Sequence, residues 1–98
     1  MYEITDIQDV SRPRCKRYVA HVNIPPNLSK SEIKTIILQA TQEIRNKYDV
    51  IHVVRLYIHK ENSLMAQSMW MDKTLTDVPL PKALNYNDSI DDIGIVWL

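Results

Sequence analysis

SKSEIKTIILQATQEIRNK, residues 29–47, is the stretch that decides how this chain folds. Ser29 and Glu32 have the S-x-x-E spacing of a capping box: the serine hydroxyl accepts from the amide of residue 32, and the glutamate accepts from the amide of residue 29. Leu28 and Ile33 stand where a hydrophobic staple forms, and Pro25-Pro26 keep the helix from starting earlier. Ile33, Ile36, Ile37, Ala40, Ile44 and Tyr48 recur at steps of three and four, so they share one stripe. Lys34, Thr35, Gln42, Arg45 and Asn46 lie opposite, with Leu38 the apolar exception among them, and Glu43 and Lys47 form a favourable i,i+4 pair. An amphipathic helix of this length needs a surface to cover.

The flanks supply one. RYVAHVNI (17–24) alternates, with Tyr18, Ala20, Val22 and Ile24 on one face and Arg17, Val19, His21 and Asn23 on the other. DVIHVVRLYI (49–58) is apolar on both faces, the pattern of a central strand. Upstream, residues 2–8 alternate weakly, with a slip at Ile7, and are expected to form an edge strand in an antiparallel hairpin with 17–24. Downstream, Lys60-Glu61-Asn62-Ser63 is a polar turn before LMAQSMWM (64–71). That run fits period two through Ala66, Ser68 and Trp70 against Met65, Met69 and Met71, yet Met65, Ser68, Met69 and Asp72 also fit a helix. The short turn favours a returning strand. Pro79 and Pro81 break regular structure, 85–92 reads as an acidic loop, and Ile93–Leu98 is either a strand closing the sheet or an apolar tail for another chain.

The expected architecture is therefore a two-layer α+β domain over residues 1–98: a four- or five-stranded, mostly antiparallel sheet under one helix at about 30–47. Its core spans about 2–76, with 77–98 as a proline-containing extension. Ninety-eight residues suffice for one modest core. No run approaches the roughly 18 apolar residues of a membrane span, the N-terminus is acidic rather than signal-like, and one cysteine excludes an internal disulfide, so a cytoplasmic protein is expected. A single glycine implies that few turns need positive φ and leaves no phosphate-binding glycine loop. Net charge is zero, but residues 11–47 carry eight cations against two anions, a local +6 balanced by −6 elsewhere.

Chemistry is argued mostly by exclusion. His52 and His59, seven apart, would face opposite sides of one strand; His21 could neighbour His52 but has no supporting carboxylate or cysteine in sequence, so no metal is expected. Cys15 lies among Arg14, Lys16 and Arg17, which lower a thiol pKa, yet no base or oxyanion site accompanies it. Asn85, Asn87, Ser89 and Asp91 alternate like calcium ligands, but Ile90 and Val96 occupy the positions that need glycine and glutamate. No catalytic constellation and no cofactor site is expected. Two contact surfaces remain. Met69, Trp70, Met71, Ile95, Trp97 and Leu98 suit a protein partner or self-association, because Met69 and Trp70 cannot both lie beneath one helix. Arg12, Arg14, Lys16 and Arg17, with Tyr18, suit nucleic acid.

Tyr2-Glu3-Ile4, Lys16-Arg17-Tyr18-Val19, Pro26-Asn27-Leu28-Ser29-Lys30 and Val53-Val54-Arg55-Leu56-Tyr57 together resemble a class of small prokaryotic and phage-type β-β-α-β-β domains of unknown function. The resemblance covers roughly residues 2–72, and its motifs are structural, so it implies a fold and carries over no site. This chain departs from it in the return strand, which is methionine-rich where the family's usually contains glycine. The leading expectation is a non-catalytic interaction module, such as a small subunit, adaptor or inhibitor-type protein. The phage-type resemblance brings phage–host conflict into view as a setting. The alternative is a nucleic-acid-binding accessory protein.

Overall fold

The capping box forms as the spacing requires. Ser29 Oγ accepts from the Glu32 amide at 3.1 Å, and Glu32 Oε1 accepts from the Ser29 amide at 3.1 Å. In the computed structural model, which describes residues 2–73 and 86–98, this cap opens the helix α1 (Lys30–Arg45). Six strands accompany it: β1 (Glu3–Asp9), β2 (Arg17–Asn23), β3 (Val53–Lys60), β4 (Ser63–Met71), β5 (Asp88–Ile90) and β6 (Ile93–Trp97). They form one sheet in the order β1-β2-β3-β4-β6-β5. The α+β class with a single helix holds. The strand count does not: six strands replace the expected four or five.

The sheet is mixed, because β2 and β3 are parallel while all other neighbours are antiparallel. Helix length explains this. Sixteen residues rise about 24 Å, close to the roughly 23 Å of a seven-residue strand, so α1 carries the chain back to the end of the sheet where β2 began. The next strand must then run alongside β2 in the same direction. Arg45 ends the helix two residues earlier than expected, and Tyr48 leaves the stripe to stack on Tyr18, ring centroids 3.9 Å apart.

Residues 64–71 lie within a strand. The strand β5 falls in the stretch expected as acidic loop, since three residues cannot display a period; Asp88 anchors it by accepting hydrogen bonds from Trp97 Nε1 at 2.8 Å and from Lys34 Nζ at 3.1 Å. Of the two alternatives for the terminal apolar run, the strand closing the sheet is the one that forms. It is β6, paired with β4 on one side and β5 on the other.

Few glycines did not mean few positive φ angles. Asp6, Asn27, Glu61, Asn62 and Asp91 all adopt them. At Asp6 (φ 54) the extra residue makes a bulge in β1, which is why both Ile4 and Ile7 reach the core despite being three apart. Glu61 (φ 51) and Asn62 (φ 66) form the two-residue β3–β4 loop with the backbone of a type I′ turn.

The core lies between α1 and one sheet face. Ile33, Ile36, Ile37, Ala40 and Ile44 meet Tyr18, Ala20 and Val22 of β2, Val54, Leu56 and Ile58 of β3, Ala66 and Trp70 of β4, and Ile93 and Ile95 of β6. Each fully buried aliphatic side chain here contributes about 1.5–3 kcal/mol. Leu38, opposite the stripe, is half-buried against the same core.

Candidate functional site

Pairing registers fix what the other sheet face carries. Arg17, Val19, His21 and Asn23 stand beside Val53, Arg55, Tyr57 and His59, which in turn stand beside Met71, Met69, Gln67 and Leu64. This is the face away from α1.

A turn of the chain folds over one end of it. Arg12 and Cys15 exchange backbone hydrogen bonds of 2.8 and 3.0 Å around Pro13-Arg14, a two-residue turn. The turn drives Cys15 into a second small core with Val53 and Met69, Met71 lying against it. Cys15 is only 2% exposed, so it serves packing. Further along, Tyr86 lies flat against Gly94. A Cβ on Gly94 would come within 2.6 Å of the ring, so glycine is needed there for the close approach.

Between these two covers the face remains half-exposed. The Arg55 guanidinium sits 5.5 Å from the Tyr57 ring centroid; Tyr57 neighbours His21 at 5.3 Å; and His21 Nδ1 meets His59 Nε2 at 2.8 Å. The imidazole centroids are 5.0 Å apart, a separation that leaves the two nitrogens facing one another along the line between the rings, so one N–H donates to the other's lone pair. Burial, and then the neighbouring His21 charge, hold the His59 pKa below its ordinary value. A polar hollow of about 360 Å³ surrounds the pair, lined also by Thr5, Asp6, Asn23 and Asn62.

The histidines are thus paired differently from the sequence expectation. In the parallel register His21 aligns with Tyr57 and Asn23 with His59, so His59 is the diagonal neighbour of His21. His52 precedes β3 and accepts a hydrogen bond from the Lys16 amide at Nδ1, 2.9 Å. No group of three or more histidine, cysteine, aspartate or glutamate side chains is placed for a metal among the described residues.

The expected protein-contact residues separate by burial. Met69 (3%), Trp70 (4%) and Ile95 (0%) are buried, Met71 and Trp97 are half-buried, and Leu98 is exposed at 66%. Met69 and Trp70 do face opposite sides, as alternation requires, but the Cys15 turn covers Met69. Trp70 lies under the helix side, with Arg45 stacked at 3.9 Å and Nε1 donating to Asp92 at 3.0 Å. Trp97 donates to Asp88 and has Lys30 Nζ 5.2 Å from its ring.

Of the basic set, Arg12, Arg14 and Lys16 are exposed on the turn. Arg17 is half-buried, its Nε and Nη2 both donating to the Val10 carbonyl at 3.3 Å. The helix ends at this same end of the sheet, bringing exposed Arg45 and Lys47 there, together with Asp9, Asp49 and Asp92. Asn85 of the calcium-like series lies outside the described residues; Asn87 Oδ1 instead accepts from the Trp97 amide at 3.0 Å.

No protein-family model matches the chain, and neither the curated proteins nor the solved structures yield a match. No helix among the described residues is long and apolar enough to cross a membrane.

Proposed function

We propose that this chain is a non-catalytic protein-interaction module that binds its partner through the open face of the sheet. One observation carries the reading: Arg55, Tyr57, His21 and His59 form a continuous half-exposed row on that face, flanked by Val19 and Gln67. Tyrosine and arginine are enriched where protein interfaces concentrate their binding energy, because each combines a rigid apolar body with polar reach. The burial of Cys15, the chain's one thiol, favours a non-catalytic role. The test is capture from the source lysate by the tagged chain and by its Tyr57→Ser variant, each with and without nuclease. A protein retained at fixed stoichiometry after nuclease, and lost with Tyr57→Ser, is expected. Retention by the variant would overturn the reading.

A nucleic-acid role has its own support, the exposure of Arg12, Arg14 and Lys16 on a turn closed by two backbone hydrogen bonds. Replacing all three by alanine should weaken binding to single-stranded DNA and flatten its salt dependence if that role holds; DNA binding indifferent to the change would remove it.

A further inference from the structure

We infer that the open face holds a receptor slot for a carboxylate, and that the occupant is an acidic side chain of a protein partner; this rests on the interaction reading given above. The slot is a cavity of about 90 Å³ between the Cys15 turn and Arg55. Val10, Val19, Val53 and Met69 wall it, and Arg17 and Arg55 are the charged groups that line it. Three waters fill a similar volume at about 30 Å³ each, so the slot takes a carboxylate with one or two methylenes.

Its two cations are unequally satisfied. Arg17 is fixed by paired donation to Val10, which orients the guanidinium without neutralising it. Arg55 makes one long hydrogen bond, Nη2 to Gln67 Oε1 at 3.5 Å, while its Nε is buried with no hydrogen-bond partner among the described residues. The ion pair found among the described residues joins Lys34 and Asp88, and neither arginine has a carboxylate within 4.0 Å there. A guanidinium stays charged at every relevant pH. Half-buried without a counter-ion, it has lost hydration that a carboxylate would replace with charge-assisted hydrogen bonds.

The surroundings decide which anion fits. A nucleic-acid strand needs successive cations along its path, but the strand bordering β2 brings Glu3 and Asp6 to this face, which repel a polyanion laid across it. The apolar walls suit methylenes. A free small acid would bury only a handful of atoms, too few to hold it tightly. Useful affinity must come from the surrounding ring row, as it does when the acid belongs to a larger partner. That partner class is a protein presenting glutamate or aspartate within an apolar segment.

The experiment is an NMR titration of the ¹⁵N-labelled chain, following the arginine Nε–H signals. The probes are the capped peptide Gly-Leu-Glu-Leu-Gly, its Gly-Leu-Gln-Leu-Gly counterpart, glutarate, and a ten-residue oligothymidylate. Saturable shifts of Arg55 and Arg17 with the glutamate peptide are expected, at least tenfold weaker with the glutamine peptide and in both Arg55→Gln and Arg17→Gln. Equal response to the two peptides, or none at Arg55, would overturn the slot. A shift of Arg55 by the oligonucleotide but not the peptide would overturn it in favour of phosphate. Glutarate binding as tightly as the peptide would replace the protein partner with a free acid. Should Arg55→Gln lose its folded spectrum, Arg17→Gln decides. Partner capture lost with Tyr57→Ser but kept with Arg55→Gln would remove the slot and leave the open-face reading. Capture indifferent to both would remove that reading, while the peptide titration still reports on the slot.

Discussion

Ser68→Ala should stabilise this protein. Ser68 lies in the middle of β4, between Leu56 and Ile95 on the helix-covered face, and is 0% exposed. Among the described residues its hydroxyl has no hydrogen-bond partner. A buried polar group left unpaired costs about 1–3 kcal/mol relative to water. Removing the oxygen recovers that cost and leaves a void smaller than a methyl group, worth roughly a few tenths of a kcal/mol. The expected gain is therefore about 1 kcal/mol, or a rise in Tm of about 4–8 °C for a domain of this size. Thermal unfolding followed by circular dichroism at neutral pH measures it directly. Thr41 on the facing helix is a parallel case, 1% exposed with an Oγ1 unpartnered among the described residues, so Thr41→Val should move Tm in the same direction. A Tm at or below that of the unmodified protein for both variants would mean the hydroxyls are hydrogen-bonded in solution, and the reasoning would fail.

The β3–β4 loop offers a second gain. Glu61 and Asn62 hold positive φ without glycine, and a left-handed conformation strains an ordinary side chain by roughly 1–2 kcal/mol; the double change Glu61→Asn, Asn62→Gly should raise the denaturation midpoint in urea with an unchanged slope. At acid pH, Asp88 governs the β5 end. Hydrogen bonds from Trp97, the Ser89 amide and Lys34 hold its pKa at about 2, below the ordinary 3.8, so its contribution is complete above pH 3.8 and is lost as pH falls through 2. Asp88→Asn should therefore flatten the stability profile between those limits, and a profile as steep as before would contradict the assignment. His59 titrates with the same sign. Its folded pKa lies below 6.5, so stability is full above that pH and declines as pH falls through the lower folded value. In His21→Asn, NMR should show the His59 pKa rising only part of the way back, because burial is the larger cause; a His59 pKa at or above 6.5 in the unmodified protein would refute the account.

Much of the fold was legible because it rests on local chemistry. The capping box at Ser29 and Glu32, the stripe from Ile33 to Ile44, and the alternation around Tyr18 to Ile24 each depend on neighbours in the chain. Even the slip at Ile7 was visible, and the bulge at Asp6 is its cause. The parallel β2–β3 pair went beyond the expectation of a mostly antiparallel sheet; it follows from a helix of matching length between two strands, which returns the chain to its starting end. What periodicity could not supply was cover. Alternation correctly set Met69 and Trp70 on opposite faces, yet the covering group for Met69 is Cys15, carried in by a turn whose Arg-Pro-Arg composition advertises only charge. The His21–His59 pair stayed hidden for a related reason, because it depends on register between strands 38 residues apart in the residues it joins.

Covering Met69 and Trp70 changes where a partner can dock. The sheet's most apolar material is used inside the fold: Trp70 beneath α1, Met69 beneath Cys15, and Ile95 between two strands. What stays half-exposed is mostly polar and aromatic, with an arginine at its centre that has no carboxylate within 4.0 Å among the described residues. An interface of that kind selects by charge and hydrogen bonding more than by apolar area, which favours a separable partner over an obligate one. Binding through the open face should accordingly weaken with added salt even though the chain's net charge is zero, because screening acts on the local charge of Arg55 and Arg17 and not on the sum.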